Sequence, residues 1–125
     1  MENLASKKKA MCVRIPELKK VIKQVNMENL KITFDIAHSN TTKTGPLEYI
    51  RELKKHIAHV HVSDNTGADD HLTIGQGNID FEKVLHKLKP FNGILIVEGW
   101  IPENEDPFLE YSLSELREIR NNLKS

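Results

Sequence analysis

The stretch KITFDIAHSNTTKTGPLEYIRELKKHIAHVHV, residues 31–62, decides the fold. In it Ile32, Phe34 and Ile36 alternate with Lys31, Thr33 and Asp35, the period of a strand. A polar loop, residues 37–45, then leads to Pro46. Behind that proline Leu47, Ile50, Leu53 and Ile57 recur at helical spacing. Residues 57–62, IAHVHV, return to a strand-like run. Strand, helix and strand within about 30 residues is the unit whose two strands lie parallel, joined by a right-handed crossover.

The same alternation continues outward in both directions. Upstream, PELKKVIKQV (16–25) is proline-led and places Leu18, Val21, Ile22 and Val25 on one helical face. Downstream, a long loop precedes DFEKVLHKL, a short helix carrying Phe81, Val84, Leu85 and Leu88, with Asp80 as its cap. GILIVEG (93–99) is a third strand, so apolar that both of its faces are expected to be covered. The last helix is expected to open at SLSE, where Ser112 and Glu115 have capping-box spacing, with Leu113, Leu116, Ile119 and Leu123 on one side. Three strands alternating with helices, and one helix in front, predict an α/β protein with a parallel sheet.

Composition narrows the function classes. The chain has 125 residues, a single domain's worth. Its 18 basic and 18 acidic residues cancel, which argues against a nucleic-acid partner. The basic run Ser6–Ala10 reads as a solvated loop. No apolar run approaches membrane-spanning length, and no signal peptide is visible. A single cysteine, Cys12, fits a reducing compartment, so a cytoplasmic protein away from membranes is expected.

On parallel sheets ligands collect at the carboxyl ends of the strands. Asp35 ends the first strand, His61 lies near the end of the second and Glu98 ends the third. Taken singly, the Asp reads as a cap or turn former, the His as a satisfied core residue and the Glu as an ion-pair partner. Together, with His38, Asp69 and His71 in the following loops, they form a mixed imidazole and carboxylate set. Such a set fits a divalent cation: Mn²⁺, Zn²⁺, Co²⁺ or Mg²⁺.

FDIAHSN (34–40), HVHVSDN (59–65), DDHLTIGQGNIDF (69–81) and ILIVEGW (94–100) resemble, in order, the last strands of the xylose isomerase-like TIM barrels. That superfamily holds sugar isomerases, ketose 3-epimerases and endonuclease IV-type apurinic-site nucleases. MENLAS (1–6) resembles the Glu-Asn that ends their fifth strand. The resemblance implies a partial (β/α)8 barrel over residues 1–125, roughly the last three βα units with a preceding helix. It implies a metal site of Glu2, Asp35, His61 and Glu98, with Glu2 and Glu98 doubling as catalytic acid and base and His38 touching substrate. In the endonuclease IV-like members the equivalents of His38, Asp69 and His71 bind a further zinc. Two histidines that complete the trinuclear cluster there belong to earlier strands. The arginine that some epimerases place after the strand-seven histidine is absent, and SDNTGA (63–68) stands there.

The implied activity is a metal-dependent isomerase or epimerase of a sugar or sugar phosphate, working by proton transfer next to a carbonyl. An apurinic-site phosphodiesterase is the alternative, and a non-catalytic barrel fragment the third reading. A complete barrel takes about 250 residues. Three strands leave open edges, so a fragment, one half of a split protein, or self-association completing the barrel is expected. The first two are preferred, because a free terminus is expected to hold Glu2 loosely. His56 and His86 read as solvated helical residues, and GQGN (75–78) as turn glycines with positive φ. Trp100 is a candidate wall for a sugar pocket, with packing as its plainer role.

Overall fold

The structure, a computed structural model, describes residues 1–99 and 107–122. Trp100 and Leu123 lie outside the described residues. Strand β1 (Ile32–Asp35) pairs in parallel with β2 (Ile57–Val62), which pairs in parallel with β3 (Ile94–Val97), in the order β1-β2-β3. The partners Asp35, His61 and Ile96 stand side by side across the sheet, as do Phe34, Val60 and Leu95. Because side chains alternate along each strand, Thr33, Asp35, His59, His61, Ile94, Ile96 and Glu98 share one face. Phe34 and Val60 are fully buried on the other, under the helices.

Helix α1 (Ile15–Val25) buries Leu18 and leaves Val25 exposed at its end. A short helix, α2 (Ile36–Asn40), occupies the first part of the segment expected to be loop. Asp35 caps it by accepting a hydrogen bond from the His38 amide, so the strand turns into helix with no connecting residue. Helix α3 (Pro46–Leu53) stops four residues before the expected end. Lys54–His56 tightens into a 3-10 turn, and Ile57 belongs to β2. Here pairing with β1 outweighs the helical spacing of Ile57. Tyr49, not predicted as core, is buried against Phe34 with ring centroids 6.2 Å apart, and its hydroxyl donates to the Val13 carbonyl.

Helix α4 (Phe81–Leu88) follows expectation: Phe81, Val84 and Leu88 are buried, and the Asp80 carboxylate accepts from the Lys83 amide at 3.0 Å. Asp80→Ala is expected to cost about 1 kcal/mol of stability, the usual worth of an N-cap, read as a shift in a denaturant midpoint. Helix α5 (Pro107–Asn122) starts five residues before the expected cap. Ser112 therefore lies in mid-helix, buried, where its hydroxyl accepts from the Ile74 amide at 3.4 Å. The capping-box spacing was coincidental, because tertiary contact claims the serine.

β3 corrects a second expectation. Ile94, Leu95 and Ile96 are 57%, 42% and 41% exposed, although the strand is almost wholly apolar. Apolar composition records what a strand is suited to pack against. Among the described residues β2 is its only strand partner, and nothing covers the face of Ile94 and Ile96.

The opposite edge is closed by the first residues of the chain. Glu2 forms a parallel bridge with Thr33, the Thr33 amide donates to Met1 O at 2.7 Å, and the terminal ammonium donates to Lys31 O at 2.8 Å. The fully buried Asn3 exchanges two hydrogen bonds with the Asp35 backbone, at 2.8 and 2.9 Å. Contrary to the looseness expected of a terminus, this segment serves as a fourth strand position and holds Glu2 beside β1.

Candidate metal centre

Asp35 is a helix cap and also faces the cluster of donors. One oxygen, Oδ1, caps α2 at 2.7 Å from the His38 amide. The other, Oδ2, is buried with no hydrogen-bond partner and points into the cluster. Glu2 from the edge segment, Asp35 from β1, His61 from β2 and Glu98 after β3 bring one donor atom each to within 4.8 Å of one another. Across a flat sheet, four strand positions would span about 14 Å at roughly 4.8 Å per strand. The donor atoms of Glu2 and Glu98 nonetheless come within 4.8 Å of each other over the face they share.

His61 Nδ1 lies 3.6 Å from Glu2 Oε1, 3.9 Å from Asp35 Oδ2 and 2.6 Å from Glu98 Oε2. Even so, His61 Nδ1, Asp35 Oδ2 and Glu98 Oε2 have no partner with hydrogen-bond geometry. They stand together within 4.8 Å, yet none is satisfied by another. Buried polar atoms are ordinarily paired, and in the described residues the unpaired side-chain ones are these three and Asp69 Oδ1. An ion about 2.0–2.2 Å from each donor would satisfy them together. The residues present therefore fit a divalent cation.

Burial pushes the Asp35 carboxyl up to about 6, with Glu98 and Glu2 adding to the rise and His38 opposing it. Asp35 is fully buried, whereas the side chains of Glu2 and Glu98 are 31% and 44% exposed. One carboxylate is thus sealed behind the site, and two are open to an incoming molecule.

A second group stands beside the first. His38, Asp69 and His71 also place three donor atoms within 4.8 Å. The His38 Nδ1 contact of 2.9 Å is to the Asn3 carbonyl, which can only accept, so this nitrogen carries the proton. His38 Nε2 lies 3.4 Å from Asp69 Oδ1. His71 places Nδ1 3.1 Å from Ser63 Oγ and Nε2 3.2 Å from the same Asp69 oxygen. Burial would raise the Asp69 carboxyl, but the Lys7 ammonium paired to its other oxygen, with His38 and His71, holds it below the usual range. Lys7, read from the sequence as part of a solvated run, thus reaches this group. Nothing in the spacing of a lysine run signals such a contact.

The structure brings each of the seven candidate ligand residues into one of these two groups, while Trp100 lies outside the described residues. Sequence reasoning missed the supports: Asn3, Ser63, and the buried Asp64 and Asn65. Their polarity was visible, but not the backbone each would meet. The chain matches the family described as xylose isomerase-like TIM barrel over residues 1–121. Two uncharacterized proteins of Methanocaldococcus jannaschii, MJ1311 and MJ1614, are 39% and 38% identical to it over 105 and 95 residues. Those matches take in 79% and 75% of this chain but 36% of each relative, so the chain spans about a third of their length. A solved D-tagatose 3-epimerase-like protein is 34% identical with a TM-score of 0.86, covering 98% of this chain and 46% of that one. An L-ribulose 3-epimerase, at 15% identity and a TM-score of 0.84 over 99% of this chain and 47% of its own, shares the fold. The arrangement of β1 to β3 and their helices is thus about half of a (β/α)8 barrel, and the chain belongs to the xylose isomerase-like TIM barrel family.

Proposed function

We propose that the chain carries the metal-binding and proton-transfer residues of a sugar isomerase or epimerase. The observation that supports this best is the division of labour among the carboxylates: Asp35 is sealed, while Glu2 and Glu98 flank it half open. Glu2, Asp35, His61 and Glu98 would hold one divalent ion, Mn²⁺, Zn²⁺, Co²⁺ or Mg²⁺. When bound, such an ion polarises a ketose carbonyl and lowers the cost of the enediolate.

Glu98 and Glu2 approach from opposite edges of the sheet. One takes the proton from the carbon beside the carbonyl, and the other returns a proton to the opposite side. His38, donating through Nδ1 to the Asn3 carbonyl, is held at the rim where it can touch the substrate. The proposed substrate class is a ketose, as the names of the solved epimerases suggest, with ketose phosphates as the variant to be tested beside it. Further strands, in the same polypeptide, a partner or a second copy, would cover the exposed face of Ile94 and Ile96. No described helix is long and apolar enough to cross a membrane, and the single cysteine suits the cytosol.

The test is incubation in heavy water with each metal and a panel of ketoses and ketose phosphates. Deuterium is expected on the carbon next to the carbonyl, and its absence across the panel sinks the proposal. The grouping of His38, Asp69 and His71 favours a second reading, an endonuclease IV-like apurinic-site phosphodiesterase. Against it stands the balance of 18 basic and 18 acidic residues. Chelator-sensitive nicking of an oligonucleotide with one abasic site would select that reading.

A further inference from the structure

Residues 63–80 join β2 to α4 and contain no helix or regular strand, yet they carry Asp69 and His71. Loops that long in a compact fold are uncommon and usually functional. Asp64, at the root of this loop, is buried and belongs to neither donor group. Its Oδ2 accepts from the amides of Gly75 and Gly77, both at 2.9 Å. Its Oδ1 accepts from the amides of Asn65 at 2.8 Å and Ile79 at 3.3 Å. Its backbone exchanges two further bonds with Leu72, at 2.9 and 2.7 Å.

One carboxylate therefore gathers both ends of the loop, and the strand-like bridge to Leu72 sets the residue next to His71. His71 itself sits at φ +45°, a conformation that a side-chain-bearing residue keeps only when its surroundings impose it. Gly77 was expected to be a positive-φ turn glycine; Gly75 is one, at φ +89°, but Gly77 is not. At Gly77 a Cβ would collide with the Asp64 carboxylate, so glycine is there to let the backbone reach that anion. The neighbouring Asn65 donates to Ala37 O at 2.8 Å and accepts from Asn40 at 2.8 Å. This ties the same hub to α2, on which His38 lies.

We propose that Asp64 is the positioning residue of the His38–Asp69–His71 group: its buried carboxylate, by binding four loop amides, holds Asp69 and His71 at His38. The inference rests on reading that group as a second metal site. Titration of the purified chain with Zn²⁺, with hydrogen exchange followed in parallel, tests it. Asp64→Asn keeps the shape but presents an amide N–H₂ to backbone donors. It is expected to weaken the second zinc equivalent about 10–100-fold, as loss of a supporting partner does, and to leave the first equivalent unchanged. Exchange over residues 65–79 should rise while residues 15–62 stay protected.

Unchanged affinity for the second equivalent together with unchanged loop exchange overturns the proposal. If the wild type takes one equivalent, and His71→Ala leaves that titration as it was, the second-site reading fails. Loop exchange still decides the role of Asp64 in that case. Should Asp64→Asn not fold, the wild-type amide of Gly75 decides: that residue is exposed, yet its N–H is expected to exchange slowly, and fast exchange refutes the proposal.

Discussion

Asp35→Asn is expected to make the metal-free protein more stable at pH 7.5 and to weaken metal binding by more than about 100-fold, beyond the loss typical of a supporting residue. The amide preserves the oxygen that caps α2 and puts a neutral N–H₂, which cannot ligate a cation, in place of the charged Oδ2. In the folded chain this carboxyl is raised from the ordinary 3.8 to about 6, mainly by burial. A group with a raised folded pKa binds its proton more tightly folded than unfolded. Metal-free stability is therefore helped by protonation below the unfolded value and falls as pH rises from about 4 to about 6. The full cost above that window is on the order of 2–3 kcal/mol.

Asn carries no such cost, so the stability difference between variant and wild type should grow over that window and level off above it. With metal at 100 times its Kd the wild type gains about 2.7 kcal/mol, and the variant should gain at most about 0.4 kcal/mol at the same concentration. Denaturant midpoints measured across pH, with chelator and with Mn²⁺ or Zn²⁺, check both halves. A metal-free variant less stable than wild type at pH 7.5 would show that Asp35 is not strained by its burial. The same proton must leave before an ion binds, so metal affinity should climb with pH through about 6.

Glu98→Gln and Glu2→Gln are each expected to lower inversion at the carbon beside the carbonyl by about 10²–10⁴-fold, the usual contribution of a general acid or base. The amide keeps the shape of the side chain and one coordinating oxygen, so KM should move far less than kcat. The two variants should differ in a way that mere damage would not. With one base gone, the other can still take a proton from its own face and return a deuteron there. Each variant should therefore wash deuterium into one epimer without inverting it, and the favoured epimer should switch between the variants. Identical behaviour toward both epimers would remove the two-faced assignment, while leaving the metal reading intact.

Much of this was legible in the chain itself. The alternation of Ile32, Phe34 and Ile36, the proline-led helix after it and the apolar ILIV run set a parallel α/β order, because period and proline act locally. Strand order then brought Asp35, His61 and Glu98 to adjacent tips, since parallel strands end at the same side. The extent of α3 and α5 was not legible, because Ile57 and Ser112 are claimed by β2 and by the Ile74 amide, contacts made far along the chain. Nor was the cover on β3, since an apolar strand records the surface it suits and not whether a neighbour is there.

The sequence by itself determined which residue types reach the rim of the sheet. The resemblance named Glu2 as a member of the group; only the tertiary structure decided how the chain's first residues hold it there, through backbone pairing with Thr33 and the Asn3–Asp35 exchange. The resemblance implied two groups of donors, and the structure shows the contact within the second, His38 Nε2 lying 3.4 Å from Asp69 Oδ1. The reason is physical: periodicity fixes the face on which a side chain stands, whereas strand pairing and hydrogen bonds between distant segments fix which side chains meet.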